Sequence, residues 1–135
     1  MEFCEIRLTH APVSPPPHPE RSSAGAIVDF YGVVRPIEAG RSIEGIDYEF
    51  HERMAEHELR RIVESAKDGL LGCRLIHRVG FVPAGEVSLF LRVATMRRAA
   101  GYRLSQHIVE ALKARVPIWK RPRFSDAPPS VALAQ

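Results

Sequence analysis

The period of apolar positions changes several times along the chain, and those changes divide it into strands and helices. Phe3 to Leu8 alternates weakly and predicts a strand. Ala26, Val28, Phe30, Gly32 and Val34 interleave with Ile27, Asp29, Tyr31 and Val33, so both faces of this segment are partly apolar and a central strand is expected, ending at Arg35-Pro36. Gly32 inside it predicts a bulge or a close backbone approach. Ile43 to Phe50 alternates, with Ile46, Tyr48 and Phe50 on one face and Asp47 and Glu49 on the other. Gly72 to Arg78 is a short apolar strand, and Glu86 to Thr95 alternates cleanly enough to be a core strand. Helical spacing takes over twice. Met54, Ala55, Leu59, Ile62, Val63 and Ala66 recur at that spacing within His51 to Lys67. Ala99, Ala100, Leu104, Ile108, Ala111 and Leu112 do so in a second helix opening at Met96-Arg97-Arg98.

Breakers fill the remaining stretches. Residues 9–23 carry Pro12, Pro15, Pro16, Pro17 and Pro19, which sustain neither a ladder nor a helix, and predict a surface loop. Ile37 to Arg41 reads as a flexible loop and Val79 to Gly85 as a turn. The second helix must stop near Arg115, because Pro117 lacks an N–H and disfavours helical geometry at Val116. A bend anchored by Ile118 and Trp119 is expected there, then a poorly ordered tail over 122–135. The order of elements predicts an α+β fold, a largely antiparallel sheet with two main helices packed on one face. Residues 1–135 read as a single domain with its core in 24–121.

Composition narrows the chemistry. At 135 residues with 45% hydrophobic and 26% charged residues, the chain suits one globular domain with a real core. The net charge of +3, with arginine far outnumbering lysine, suits recognition of phosphate or carboxylate by forked guanidinium groups. Basic residues are scattered and no recognition motif is present, which argues against nucleic acid as a partner. Cys4 and Cys73 are isolated, so no disulfide framework or zinc site is indicated. His51-Glu52 and His57-Glu58 lack the i, i+4 histidine spacing of a helical zinc site. No basic segment followed by an apolar run opens the chain, and no membrane-length apolar stretch occurs, so a cytoplasmic protein with no membrane partner is expected.

Lys113 and Lys120 flank the proline-broken turn that holds the single tryptophan, Trp119. In a continuous helix they would lie roughly 10 Å apart along one face. A bend at Pro117 instead brings both ammonium groups to one pocket, where two cations favour one neutral amine, a usable base or nucleophile. The plainer explanation is a helix C-terminus carrying cations to complement its dipole.

Separated pieces match one pattern in order: Gly25 to Arg35, Tyr48-Glu49-Phe50 with Met54-Ala55, Ile76 to Gly80 with Gly85-Glu86, Leu112-Lys113, and Val116-Pro117-Ile118-Trp119-Lys120-Arg121. This set resembles the large, catalytic subunits of molybdopterin synthase, the MoaE family, over residues 24–121. The resemblance implies an α/β hammerhead-like fold and a sulfurtransferase. It implies a homodimer that binds two copies of a small ubiquitin-like sulfur carrier, a heterotetramer in all. The carrier's C-terminal Gly-Gly thiocarboxylate delivers sulfur twice to cyclic pyranopterin monophosphate, forming the dithiolene, with no cofactor or metal in this step. Carried over by motif, Lys113 and Lys120 match the catalytic lysines, while Arg35 and Arg97 match arginines that hold the substrate, with Arg98 adding to the anion site. Met96 stands where the family has histidine, and Gly101 where an aromatic is usual. The family's customary Glu after the Trp-Lys-basic run and its tryptophan-containing C-terminal segment are absent here. Two other readings compete: a non-catalytic relative keeping dimer and carrier contacts, which Met96 favours, and an α+β phosphate-binding module using only the arginines.

Overall fold

The computed structural model describes residues 1–17 and 19–125. Its strands form two sheets. The first has the order β1-β5-β7-β2, from β1 (Phe3–Thr9), β5 (Gly72–Arg78), β7 (Val87–Thr95) and β2 (Ala26–Val33). β1 runs parallel to β5, and the other two pairings are antiparallel. β7 is the core strand its alternation predicts, flanked on both sides. β2 is not central as expected. It lies at the end of the sheet, and its mixed pattern arises because Tyr31 and Val33 are exposed apolar side chains. The predicted irregularity at Gly32 is present as a register shift between Gly32 and Val33.

The second sheet is built on β4 (Arg41–Phe50), which pairs with β3 (Ile37–Glu38), β6 (Gly80–Pro83) and β8 (Ile118–Phe124). Three of these elements differ from expectation. Ile37 to Arg41 is a tight hairpin whose corner, Ala39 and Gly40, takes positive φ values of 51° and 74°. The segment read as a turn contains β6, bounded by Gly80 and Gly85 at φ 82° and 88°. The chain bends after α2 as predicted but then runs as a strand, which continues through Pro122 to Phe124 where a tail is expected. A proline is tolerated there because β8 pairs only with β4 among the described residues, leaving Pro122 without a second ladder to serve. Trp119 does not anchor this segment. It is 57% exposed, while Ile118 packs against both apolar clusters. The rest of the predicted tail, 126–135, lies outside the described residues.

α1 (Glu52–Ser65), followed by a 3₁₀ turn over Lys67–Gly69, packs on β1; α2 (Arg98–Arg115) packs on β2 and β7; and the helices touch each other. In α1 the stripe Ala55, Leu59, Ile62, Val63 and Ala66 is buried, whereas Met54 is exposed. In α2 the buried stripe is Gly101, Leu104, Ser105, Ile108, Val109 and Leu112 rather than one that includes Ala99. Gly101 belongs to it because α2 crosses the sheet closely there. A Cβ at that position would stand 3.0 Å from Val28 and 3.2 Å from Thr95. Leu75, Leu89, Leu91 and Val93 meet both helices in one core. Each such side chain contributes about 1.5–3 kcal/mol by leaving water.

The other face of the first sheet carries charge. Arg92, with a side chain 3% exposed, donates to Asp29 at 2.7 and 2.9 Å, to Glu20 and to the Pro16 carbonyl. Arg74 reaches Glu20 and Glu5. The proline-rich loop is thus strapped across the sheet by one carboxylate and one carbonyl. Among the described residues no helix is long and apolar enough to cross a membrane.

Candidate functional site

The two sheets meet the C-terminal end of α2 at a cleft of about 290 Å³. Each wall follows from a local sequence feature. α2 ends at Val116, whose extended backbone (φ −82°, ψ 131°) is what a following proline requires, and the chain turns directly into β8. β8 runs antiparallel to β4 with Lys120 opposite Tyr48, which carries Lys120 back toward the helix end it left. Lys113, on the last turns of α2, and Lys120, on β8, therefore line the same cleft, as the proline break predicts. Both are exposed at its rim. Arg35, just beyond β2, lines it as well. Its side chain is 79% exposed and sits 3.7 Å from Glu38.

The floor consists of Phe30, Gly32, Leu89, Leu112 and Ile118, with Tyr48, His77 and Ser88 as its polar members. Burial raises the Tyr48 hydroxyl above its ordinary pKa, a shift opposed by a hydrogen bond from Ser88 and reinforced by the charge of Glu38. His77 is 5% exposed, its Nδ1 is 2.7 Å from the Arg78 carbonyl, and its ring stands edge-on to Tyr48. Burial first, and then the charge of Lys120, hold its pKa below the ordinary imidazole value, against the effect of the Arg78 hydrogen bond. Ser88 and Glu38 are not singled out by the sequence, whereas Tyr48 lies in one of the matching pieces without a role given to it. For Tyr48 a signal exists in the alternation of β4, which puts it on the inward face.

Arg97 and Arg98 do not join this group. Arg97 caps the N-terminus of α2, and along sixteen residues of helix it stands roughly 24 Å from Lys113. Met96, Arg97 and Arg98 are all exposed there, Met96 at 67%. His107 is exposed along α2, and neither it nor His51 or His57 lines the cleft. Among the described residues no group of His, Cys, Asp and Glu side chains is arranged to hold a metal ion.

Neither cysteine lines the cleft. Cys73 is fully buried and its thiol is pushed up to about 12, chiefly by burial and further by Cys4. It is therefore protonated and unreactive. Among the described residues the cleft thus offers three cations, one carboxylate, a buried imidazole and two hydroxyls, but no cysteine.

This arrangement defines an α+β protein with a cationic cleft suited to an anionic substrate, formed where a helix end and two sheets converge. The chain belongs to the MoaE family: the model of the MoaE protein matches residues 8–115. It is a homologue of the molybdopterin synthase catalytic subunit, an enzyme of molybdenum cofactor biosynthesis. The molybdopterin synthase catalytic subunit of Thermoplasma volcanium is 35% identical over 103 residues, covering 75% of each chain. That of Bos taurus is 34% identical over 105 residues, and there the match spans only 56% of the longer bovine protein. The crystal structure of molybdopterin synthase from Staphylococcus aureus superposes with a TM-score of 0.82 at 26% identity, covering 90% of this chain and 93% of that one. A protein–protein complex of subunits 1 and 2 of molybdopterin-converting factor from Helicobacter pylori has the same fold, with a TM-score of 0.63 at 24% identity over 77% of this chain and 73% of that one.

Proposed function

We propose that the cleft shared by Lys113 and Lys120 is where this chain transfers sulfur to cyclic pyranopterin monophosphate from a small ubiquitin-like carrier ending in a Gly-Gly thiocarboxylate. The observation that carries this reading is the meeting of both lysines and Arg35 in one cleft of a MoaE-family chain. The absence of a cysteine from the cleft agrees with it, since the sulfur then has to arrive on another molecule. The cationic rim of the cleft suits an anionic substrate.

Arg35 grips the cyclic phosphate through charge-assisted hydrogen bonds, which are short and directional. It is free to do so because its contact with Glu38 is long and solvent-exposed, and such pairs are worth about 0–1 kcal/mol. Lys113 and Lys120 stabilise the negative charge that develops as the thiocarboxylate sulfur attacks the carbon framework, and they move the protons the reaction needs. After each attack the carrier is held to the new sulfur as a thioester. An oxygen nucleophile, in the end water, cleaves the acyl–sulfur bond, so the carrier leaves as a carboxylate and its sulfur stays on the pterin. Two such transfers complete the dithiolene. The chemistry uses side chains already in the cleft and calls for no cofactor.

Arg97 and Arg98 enter this scheme only through assembly. Being roughly 24 Å from Lys113 on their own chain, they serve the cleft of a second copy in a homodimer, the assembly that would carry two carriers. Steady-state kinetics on single variants test the division of roles. Arg35→Ala should raise KM for the pterin about tenfold or more with a smaller change in kcat, as expected for a lost charged hydrogen bond. Lys113→Ala and Lys120→Ala should each lower kcat at least about a hundredfold while the carrier still binds. Loss of carrier binding in both lysine variants, with kcat intact at saturation, would make the lysines a docking surface instead.

A further inference from the structure

His77, with Tyr48 beside it, is a buried titratable group of the cleft to which the sulfur-transfer reading gives no task. Two contacts fix its geometry. The Arg78 carbonyl, 2.7 Å from Nδ1, can only accept a hydrogen bond, so Nδ1 carries the ring proton and Nε2 is left with a free lone pair. The Tyr48 ring meets the imidazole at a centroid distance of 5.3 Å and an interplanar angle of 74°, which fixes its tilt. Tyr48 is itself the residue opposite Lys120 across the β4–β8 ladder. All three side chains line the cleft.

The surrounding charges decide the state of the ring. Lys120 on β8, Lys113 on α2 and Arg35 beyond β2 face the same space as cations. Glu38 on β3 is the one carboxylate lining it among the described residues, 3.7 Å from Arg35. The Arg78 side chain is engaged by Glu86 at 2.7 Å. Tyr48 and Ser88 contribute neutral hydroxyls. With its charged form disfavoured by burial and by Lys120, His77 is, among the described residues, the uncharged nitrogen acceptor lining the cleft.

Building on the proposed sulfur transfer, we propose that His77 is a positioning residue for Lys120, its tautomer locked so that Nε2 accepts from the Lys120 ammonium and holds it toward the substrate. Protonation of the ring removes that acceptor and places another positive charge beside the lysine. The arrangement therefore works while His77 is neutral and fails as the pH falls below the ordinary imidazole value of about 6.5.

Two measurements on the full chain decide this. The first is the rate of a single turnover against pH with thiocarboxylated carrier and pterin substrate, for the wild type, His77→Gln and His77→Phe. Glutamine keeps an acceptor but does not titrate. It should slow the reaction less than phenylalanine and should abolish the fall in rate on the acid side. Phenylalanine should cost about tenfold or more in rate, with pterin KM changed much less. The second is NMR titration of the His77 ring without carrier or pterin, in the wild type and in Lys120→Gln. Its midpoint should rise when the lysine charge is removed. An acid limb unchanged in His77→Gln, or a midpoint indifferent to Lys120→Gln, would overturn the proposal. A wild type that makes no dithiolene at any pH would instead refute the sulfur-transfer reading, and the NMR titration would still decide whether His77 and Lys120 are coupled.

Discussion

Arg92 illustrates how a single side chain fixes a segment that has no regular structure. Its guanidinium is almost fully buried on the outer face of β7 and is satisfied by Asp29 from the neighbouring strand and by Glu20 and Pro16 from the proline-rich loop. Arg92→Leu leaves two carboxylates facing a sheet without their common partner. It should destabilise the fold by about 3–5 kcal/mol, measured by urea denaturation, as for other broken buried pairs. Glu20 adds a pH dependence. Burial alone would raise its pKa, but the hydrogen bond from Arg74 and the charges of Arg74 and Arg92 outweigh that and leave it lowered. Its contribution to stability is therefore complete above the ordinary glutamate value and is lost as the pH falls through the lower folded value. Glu20→Gln should flatten the acid side of the stability profile, and an unchanged profile would show that the strap does not hold in solution. The prolines make residues 9–23 legible as a loop. The docking of Glu20 onto Arg92, 72 residues away, leaves no periodic trace in the sequence.

At the level of elements, β4 joins the two halves of the site, because it pairs with β6 and with β8 and so carries Tyr48 beside Lys120. Gly45, at the irregularity in the β4–β8 register, lets β6 approach: a Cβ there would strike the Val82 carbonyl oxygen and the Phe81 ring. Gly45→Ala should cost about 1–3 kcal/mol, a fall in Tm of several degrees by thermal denaturation. It should also lower activity by loosening the cleft wall. Both helices are legible because a 3.6-residue stripe persists over several turns. β6 and β8 are hidden for the same physical reason as each other. Each is short, and each is bounded or interrupted by glycine or proline, the residues that elsewhere end structure. Pairing with the long strand β4 supplies the stability that local propensity does not. The mixed apolar pattern of β2 reads as burial on both faces, whereas Tyr31 and Val33 in fact leave an apolar edge in solvent.

At the scale of the whole molecule, the length of α2 sets the architecture of the site. It carries Lys113 at one end and Arg97 at the other, too far apart to act together within one chain. If they cooperate across a homodimer, an inactive Lys113→Ala chain mixed with an inactive Arg97→Ala chain should regain about a quarter of wild-type activity, since half the dimers then hold one intact cleft. Sequence spacing alone brings Lys113 and Lys120 to a common bend. The matching family pieces add Arg35 to them and contain Tyr48 and His77 without assigning either to the cleft. It is strand register, which residue spacing does not encode, that brings His77 and Tyr48 beside Lys120. Whether the two lysines of this cleft carry the transfer of sulfur is decided by a single-turnover assay. Purified protein, thiocarboxylated carrier and cyclic pyranopterin monophosphate are combined and scored for dithiolene pterin, with Lys113→Ala in parallel. Product from the wild type that disappears in the variant is the predicted result. Wild-type protein that binds the carrier yet forms no product, or a Lys113→Ala variant that forms it at the wild-type rate, would contradict the account.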